Sequence, residues 1–174
     1  MLSIGRLIVG VVFIHASCST SLNRADFEVD YSYDSGWGTA WSLKINSTGH
    51  AFFCERCRVS PAVATGSFTV NEDKLDSIKI LIQDCIRVNP KKYYNINIVD
   101  QMSQQIFIRY GNRHVTTYCY GDTCPLEFDR LTYFLSKMVP LVKPSKSDSI
   151  VEFKSLENFY QDDPSKLIRR KQFP

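Results

Sequence analysis

The sequence lacks several features that mark large classes of proteins. Its 174 residues contain 21 Lys and Arg against 18 Asp and Glu, a formal charge of +3, so it has no basic excess of the kind that nucleic-acid-binding surfaces need. Residues 7–14 form an apolar run that spans about 12 Å as a helix, far short of the roughly 30 Å of bilayer hydrocarbon. We therefore expect neither nucleic-acid binding nor a resident transmembrane helix.

Motifs for catalysis are also missing. The chain has no phosphate-binding glycine loop and no G-x-S-x-G motif. It has 3 His residues. His15 precedes the first Cys, His50 lies at an expected turn, and His114 faces Arg109 across an expected hairpin. The sequence therefore predicts no catalytic residue, no cofactor and no metal ion.

The amino terminus has the layout of a secretory signal peptide. Arg6 precedes the apolar run of residues 7–14, and small residues follow at 16–19. The sequence Ala-Ser-Cys-Ser at 16–19 resembles a bacterial lipoprotein processing site. We therefore expect residues 1–17 to be a signal peptide and Cys18 to carry a lipid anchor in a bacterial periplasm or outer membrane. Ordinary cleavage near the same place is the alternative.

The rest of the chain predicts one α+β domain. We expect a flexible spacer at residues 18–25, the domain at 26–140, and a linker with a C-terminal tail at 141–174. Apolar and polar residues alternate over 27–33 and 41–45, which is the period of a half-buried strand. These hairpin patterns and two helical patterns indicate an antiparallel sheet of about six strands with two helices packed on one face.

Turn sequences set the expected strand registers. Gly111 and Asn112 form a two-residue turn, which pairs Tyr110 with Arg113. A four-residue turn at 46–49 would pair Ile45 with His50. In that register Cys54 lies opposite Trp41 and points into the core.

Two helices are expected, and each has a recognisable beginning. Asn71 is a plausible cap for the first helix, which ends at Asn89-Pro90. The second helix begins near Pro125 and ends before Pro140. Its expected buried residues are Leu126, Leu131, Phe134, Leu135 and Met138.

The expected order of elements, which is three strands, a helix, three strands and a second helix, resembles a known kind of domain. Lys44-Ile45 precedes a Gly-containing turn, and a strand at Thr65-Gly66-Ser67-Phe68 leads into the first helix. Over about residues 26–140 the pattern is similar to an uncharacterised domain family of exported bacterial lipoproteins, many of them from Bacteroidetes. The resemblance implies the fold and an envelope location, and it implies no activity.

The cysteines are the main chemical feature of the chain. Cys54, Cys57, Cys119 and Cys124 are candidates for two structural disulfides in an oxidising compartment, and Cys85 for a buried thiol. Four Cys allow three connectivities. We prefer the local pairs, Cys54 with Cys57 and Cys119 with Cys124, because each would fix a loop beside a strand end.

Two other hypotheses account for the same cysteine residues. Cys54-Glu55-Arg56-Cys57 matches the C-x-x-C motif of thiol oxidoreductases, in which Arg56 would lower a thiol pKa. The four Cys residues could also bind zinc, although 61 residues separate Cys57 from Cys119.

The function expected from these observations is binding. Trp37 lies in a Gly-containing loop with Tyr31 and Tyr33 close by in sequence, and such aromatics are typical contacts for a partner; packing of Trp37 over the sheet edge is the alternative. We expect an exported, envelope-associated, non-catalytic protein, of inhibitor or immunity-like type, whose partner is an unknown macromolecule, most simply a protein. It would contact the membrane only through its lipid anchor. A periplasmic thiol–disulfide oxidoreductase is the competing hypothesis.

Overall fold

The computed structural model describes residues 26–95, 101–139, 145–157 and 159. The expectations for the leader, Cys18 and the spacer lie outside these residues. The described elements are β1 (Phe27–Asp34), β2 (Ala40–Asn46), β3 (His50–Glu55), β4 (Ala62–Val63), β5 (Gly66–Thr69), α1 (Glu72–Arg87), β6 (Tyr93–Asn95), β7 (Ser103–Tyr110), β8 (Arg113–Tyr120), α2 (Leu126–Met138), β9 (Ile150–Val151) and a short 3₁₀ helix (Lys154–Leu156).

One seven-stranded sheet organises the fold. Its strand order is β5-β3-β2-β1-β7-β8-β6, and all neighbours are antiparallel except β6 and β8. β4 and β9 form a separate two-stranded sheet. The α+β class is confirmed, with seven strands in the main sheet rather than about six.

The two helices cover one face of the sheet, here called the helix face. Alternate side chains of β1, β2 and β7 point to this face and form the main core with α1 and α2. Asn71 caps α1 as expected, because its side chain accepts a hydrogen bond from the Lys74 backbone N–H. Among the buried members of this core are Val29, Leu43, Ile45, Ile78, Ile82, Ile106, Ile108, Leu131 and Leu135.

The expected buried residues of α2 are partly corrected by the structure. Leu126 is 59% exposed, whereas Phe128 is fully buried. Leu131, Leu135 and Met138 are buried as expected, and Phe134 is partly buried. The buried face of α2 therefore runs through positions 128, 131, 135 and 138. Leu126 comes two residues before Phe128, which places its side chain on the solvent side of the first turn.

The β7–β8 register is confirmed, and the β2–β3 register is wrong by one residue. Ile45 lies opposite Ala51 rather than His50. The turn contains three residues, because the Asn46 carboxamide oxygen accepts hydrogen bonds from the backbone N–H groups of Thr48 and His50, each at 3.1 Å. Gly49 completes the turn at φ +84°, where an added Cβ would lie 2.8 Å from the Val70 carbonyl oxygen. This shift turns Cys54 away from the helix face.

The opposite face of the sheet is covered by residues that the sequence analysis assigns to a linker and tail. Within residues 150–159, Val151, Phe153, Leu156 and Phe159 are buried, and they pack with Tyr118, Tyr120 and Cys54 of the sheet. This part of the chain therefore belongs structurally to the domain, because its apolar side chains cover a face that would otherwise be exposed.

A buried polar network fixes this covering segment to the sheet. The Asp30 carboxylate accepts hydrogen bonds from the Lys154 backbone N–H at 2.6 Å and from the Ser155 hydroxyl. The Ser155 hydroxyl lies 2.7 Å from that of Ser32, which lies 2.7 Å from that of Ser42. Asp30, Ser32, Ser42 and Ser155 are all buried. Their mutual hydrogen bonds offset the cost of burying polar groups.

Candidate functional site

Several functional candidates converge at one end of the sheet. Asp34, the last residue of β1, lies opposite Ala40 and Ser103, the first residues of β2 and β7. Ser103 in turn lies opposite Tyr120, the last residue of β8. β3 ends here too, because Glu55 pairs with Trp41. We call this end of the sheet the disulfide end.

Both cysteine pairs lie at the disulfide end. Cys54 is paired with Cys57 and Cys119 with Cys124, with Cα–Cα distances of 5.8 and 5.5 Å, both within the range of disulfides. These are the local pairs preferred from the sequence. The first pair holds the loop after β3, and the second ties the end of β8 to the residue before Pro125, where α2 starts.

The fifth described cysteine is a buried thiol, as expected. Cys85 lies on the core side of α1, and its thiol donates to the Glu127 carbonyl oxygen at 3.4 Å. Burial raises the pKa of Cys85 to about 12, with smaller contributions from Glu127 and Asp84. The thiolate is therefore strongly disfavoured, and so is nucleophilic chemistry at this position.

The surroundings of the C-x-x-C motif differ from those of a redox site. Cys54 is completely buried, and its sulfur lies 3.4 Å from the Val63 carbonyl oxygen. The element that follows Cys57 is a two-residue strand, β4, rather than a helix whose amino terminus would stabilise a thiolate. This geometry favours a structural bridge.

The four cysteines do not converge on one point. β2, β1 and β7 separate β3, which carries Cys54, from β8, which carries Cys119. The two side chains also lie on opposite faces, because Cys119 is opposite Gln104 on the helix face and Cys54 packs beneath the covering segment. No cluster of metal-ligating side chains occurs among the described residues.

Trp37 lies on the loop between β1 and β2 and is 79% exposed. The loop is ordered by its own polar groups. The Asp34 carboxylate accepts from the Gly36 N–H at 2.8 Å, and the Ser35 hydroxyl accepts from the N–H groups of Trp37 and Thr39 at 3.3 and 3.1 Å. A Ser35 N–H to Thr39 carbonyl bond of 2.8 Å closes the loop. The indole therefore projects from a well-defined turn instead of packing over the sheet edge.

Tyr31 and Tyr33 do not share that exposure. Tyr31 is buried, and its hydroxyl donates to the Gln104 side-chain oxygen at 3.0 Å. Its ring meets the Trp41 ring edge-on, with 5.0 Å between centroids. Tyr33 is partly buried against the same indole. Of the three aromatic contacts expected from the sequence, only Trp37 stands fully on the surface.

The two tyrosines instead line a cavity that sequence reasoning missed. This cavity, the aromatic pocket, has a volume of about 480 Å³ and lies between the sheet and α2 at the disulfide end. Tyr33 and Trp41, which are directly opposite each other in β1 and β2, form one wall. Asp129 and Tyr133, one turn apart on α2, form the other. The sequence signal is weak, because only the packing of α2 on the sheet brings these residues together.

A second cavity, of about 470 Å³, lies on the opposite face of the sheet. Its cationic side chains already have partners within the chain. Arg109 contacts Asp26 at 2.7 Å, and Lys154 contacts Glu152 and Glu157 at 2.7 and 2.9 Å. Their charge is therefore largely compensated.

Comparison of the chain with protein-family models and with curated proteins gave no match. The structure itself defines the class: an α+β domain whose antiparallel sheet is covered on both faces and braced at one end by two cystine bridges. The resemblance to envelope lipoproteins stays a prediction. Among the described residues, no helix has the length and apolar character needed to span a bilayer.

Proposed function

We propose that this is an exported, envelope-associated protein without catalytic activity that binds a protein partner through the disulfide end. The observation that carries the proposal is Trp37, which is 79% exposed on a loop already held by hydrogen bonds. Tryptophan is enriched among the residues that dominate binding energy. A loop ordered before binding loses less entropy when the complex forms.

The rest of the molecule supports a rigid binding surface. Across the sheet, the two cystine bridges lie on β3 and β8, on either side of the β1 and β2 strands that carry the Trp37 loop. Both bridges would persist in an oxidising compartment such as the periplasm. The expected leader and Cys18 fit the same compartment. An inhibitor or immunity-like protein works in this way, because it occludes an enzyme with a stiff surface and needs no reactive group of its own.

The binding proposal is tested by substituting the exposed indole. W37A should retain the fold, because the side chain makes few contacts, and should lose roughly 30-fold or more in affinity for the protein captured from envelope extract. Ile80→Ala is the matched control, because Ile80 is 60% exposed on α1, away from the disulfide end. Equal capture by wild type, W37A and I80A would contradict the proposal.

The export proposal is tested by the intact mass of the protein isolated from the cells that produce it. Of the 6 Cys residues, Cys18 would carry lipid and four would be bridged, so alkylation under denaturing conditions should modify one thiol, Cys85. After reduction it should modify five. A full-length product with its leader, in which every thiol reacts without reduction, would contradict export.

An activity assay distinguishes the proposed binding protein from the competing hypothesis, a thiol–disulfide oxidoreductase. It gains support from the Cys54–Cys57 pairing. Because Cys54 is buried at a strand end, we expect no acceleration of insulin reduction by dithiothreitol above the rate without protein. Acceleration that disappears in C57S would instead establish the oxidoreductase.

A further inference from the structure

The aromatic pocket combines closely packed aromatic rings with an acidic group. The rings of Tyr33 and Trp41 lie 5.8 Å apart at 33°, and Tyr31 meets Trp41 edge-on beneath them. Tyr133 stands across the pocket on α2 and is 65% exposed, although its neighbours at 132 and 135 are buried. The electron-rich faces of such rings attract cations.

The acidic group is Asp129, which lines the pocket one helical turn before Tyr133. Its carboxylate has no hydrogen-bond or ion-pair partner among the residues that the structure describes. Partial burial and the nearby Asp122 raise the pKa of Asp129. The Asp129 carboxylate is therefore not paired with a cation among the described residues.

A cation already contacts one of the rings. The Lys137 ammonium lies 5.2 Å from the centroid of the ring of Tyr133, which lines the pocket. The geometry of this ring thus accommodates an ammonium group on an aliphatic chain. Lys137 is also a positive charge with which any incoming cation must compete.

We propose that the aromatic pocket binds an aliphatic ammonium group, which lies against Trp41, Tyr33 and Tyr133 and pairs with the Asp129 carboxylate. Resting on the proposed function, we assign this ammonium to a lysine side chain of the protein partner. The volume of about 480 Å³ lies within the range of pockets that hold small organic groups. The pocket adjoins the strand ends from which the Trp37 loop emerges, so one partner can contact both.

Small probes test the chemistry of the pocket without the partner. Choline and its neutral isostere 3,3-dimethylbutan-1-ol have nearly the same shape and differ in charge. Titration followed by the NMR signal of the Trp41 indole N–H should show saturable binding of choline, and binding of the neutral alcohol that is weaker by roughly tenfold. Nα-acetyl-lysine methylamide should bind likewise, and its Nε-acetylated form should not.

Substitutions assign the charge effect to named residues. D129N should weaken choline binding roughly tenfold, and K137Q should strengthen it because a competing cation is removed. Asp76→Asn is the matched control, since Asp76 is an exposed acid on α1, and it should leave binding unchanged. Equal binding of choline and the neutral alcohol, or identical affinities in wild type and D129N, would overturn the inference.

The outcomes separate this inference from the proposed function. One outcome is that W37A abolishes capture of the partner, D129N does not change that capture, and no amine binds to the pocket. The inference about the pocket then fails, and the proposed function stands. If amines bind through Asp129 but choline does not compete with the partner, the ligand is a small free amine, and the assignment to a partner's lysine is overturned.

Discussion

Asp30 connects the sheet to its covering segment through a carboxyl group that is almost completely removed from water. Burial is the main cause that raises its pKa, to about 7 from an ordinary value of 3.8, against the opposing effects of Ser155, Lys44 and the Lys154 N–H. Between these two pH values the native protein holds a proton that the unfolded chain has released. The contribution of Asp30 to stability is therefore greatest at low pH and is lost as the pH rises through about 7.

The raised pKa of Asp30 predicts how the stability of an Asp30→Asn variant differs from that of wild type as the pH changes. The free energy of unfolding of wild type relative to D30N should fall between about pH 4 and pH 7, at up to roughly 1.4 kcal/mol per pH unit, because asparagine binds no proton there. Denaturant unfolding at a series of pH values measures the difference. Parallel pH profiles for the two proteins would show that Asp30 is ionised in the folded state.

In the helix α2, the residues that are buried differ from those that the sequence pattern predicts. Phe128 is fully buried, whereas Leu126 is 59% exposed. We predict that F128A lowers the free energy of unfolding by about 3–5 kcal/mol and that L126A changes it by about 0.5 kcal/mol or less. Thermal or denaturant unfolding measures both. A larger loss in L126A than in F128A would contradict the placement of this helix.

The hairpins show which registers a sequence can predict. Gly111 and Asn112 allow only a short turn, so the pairing of Tyr110 with Arg113 follows directly, and the structure has it. The turn near Gly49 could contain three or four residues, and the Asn46 side chain, by accepting from the Thr48 and His50 N–H groups, selects three. Since a one-residue shift exchanges the faces of a strand, the predicted placement of Cys54 opposite Trp41 was wrong.

The candidate site was only partly predictable for a related reason. Local features, such as the Trp37 loop and the cysteine spacing, are visible in the sequence. The aromatic pocket depends on how α2 packs across β1 and β2, which brings Asp129 and Tyr133 toward Trp41. The covering of the opposite face by Phe153 was missed as well, because the sequence does not show which surface a short apolar segment after a linker packs against.

The Cys119–Cys124 bridge links the end of β8 to the start of α2, and so it supports one wall of the aromatic pocket. Replacing both residues by Ala should lower the free energy of unfolding by about 2 kcal/mol, as expected for a short closed loop. It should also weaken choline binding, because Asp129 lies just beyond the bridge. C85A is the control, since it removes a buried cysteine without a bridge. Unchanged stability and binding in the double variant would show that the bridge has no such role.

For the whole molecule, both faces of the sheet are covered, and its two ends differ. One end carries both bridges, the Trp37 loop and the aromatic pocket, and the other carries the Gly111 turn and His114. A binding protein built in this way should contact its partner with the disulfide end only.

Site-specific photocrosslinking in the producing cells tests this claim most directly. A photoreactive residue would be placed at position 37 in one variant and at position 114, an exposed site at the far end, in another. We expect one discrete crosslinked protein from position 37 and none from position 114. A crosslink that forms from position 114 but not from position 37 would contradict this claim.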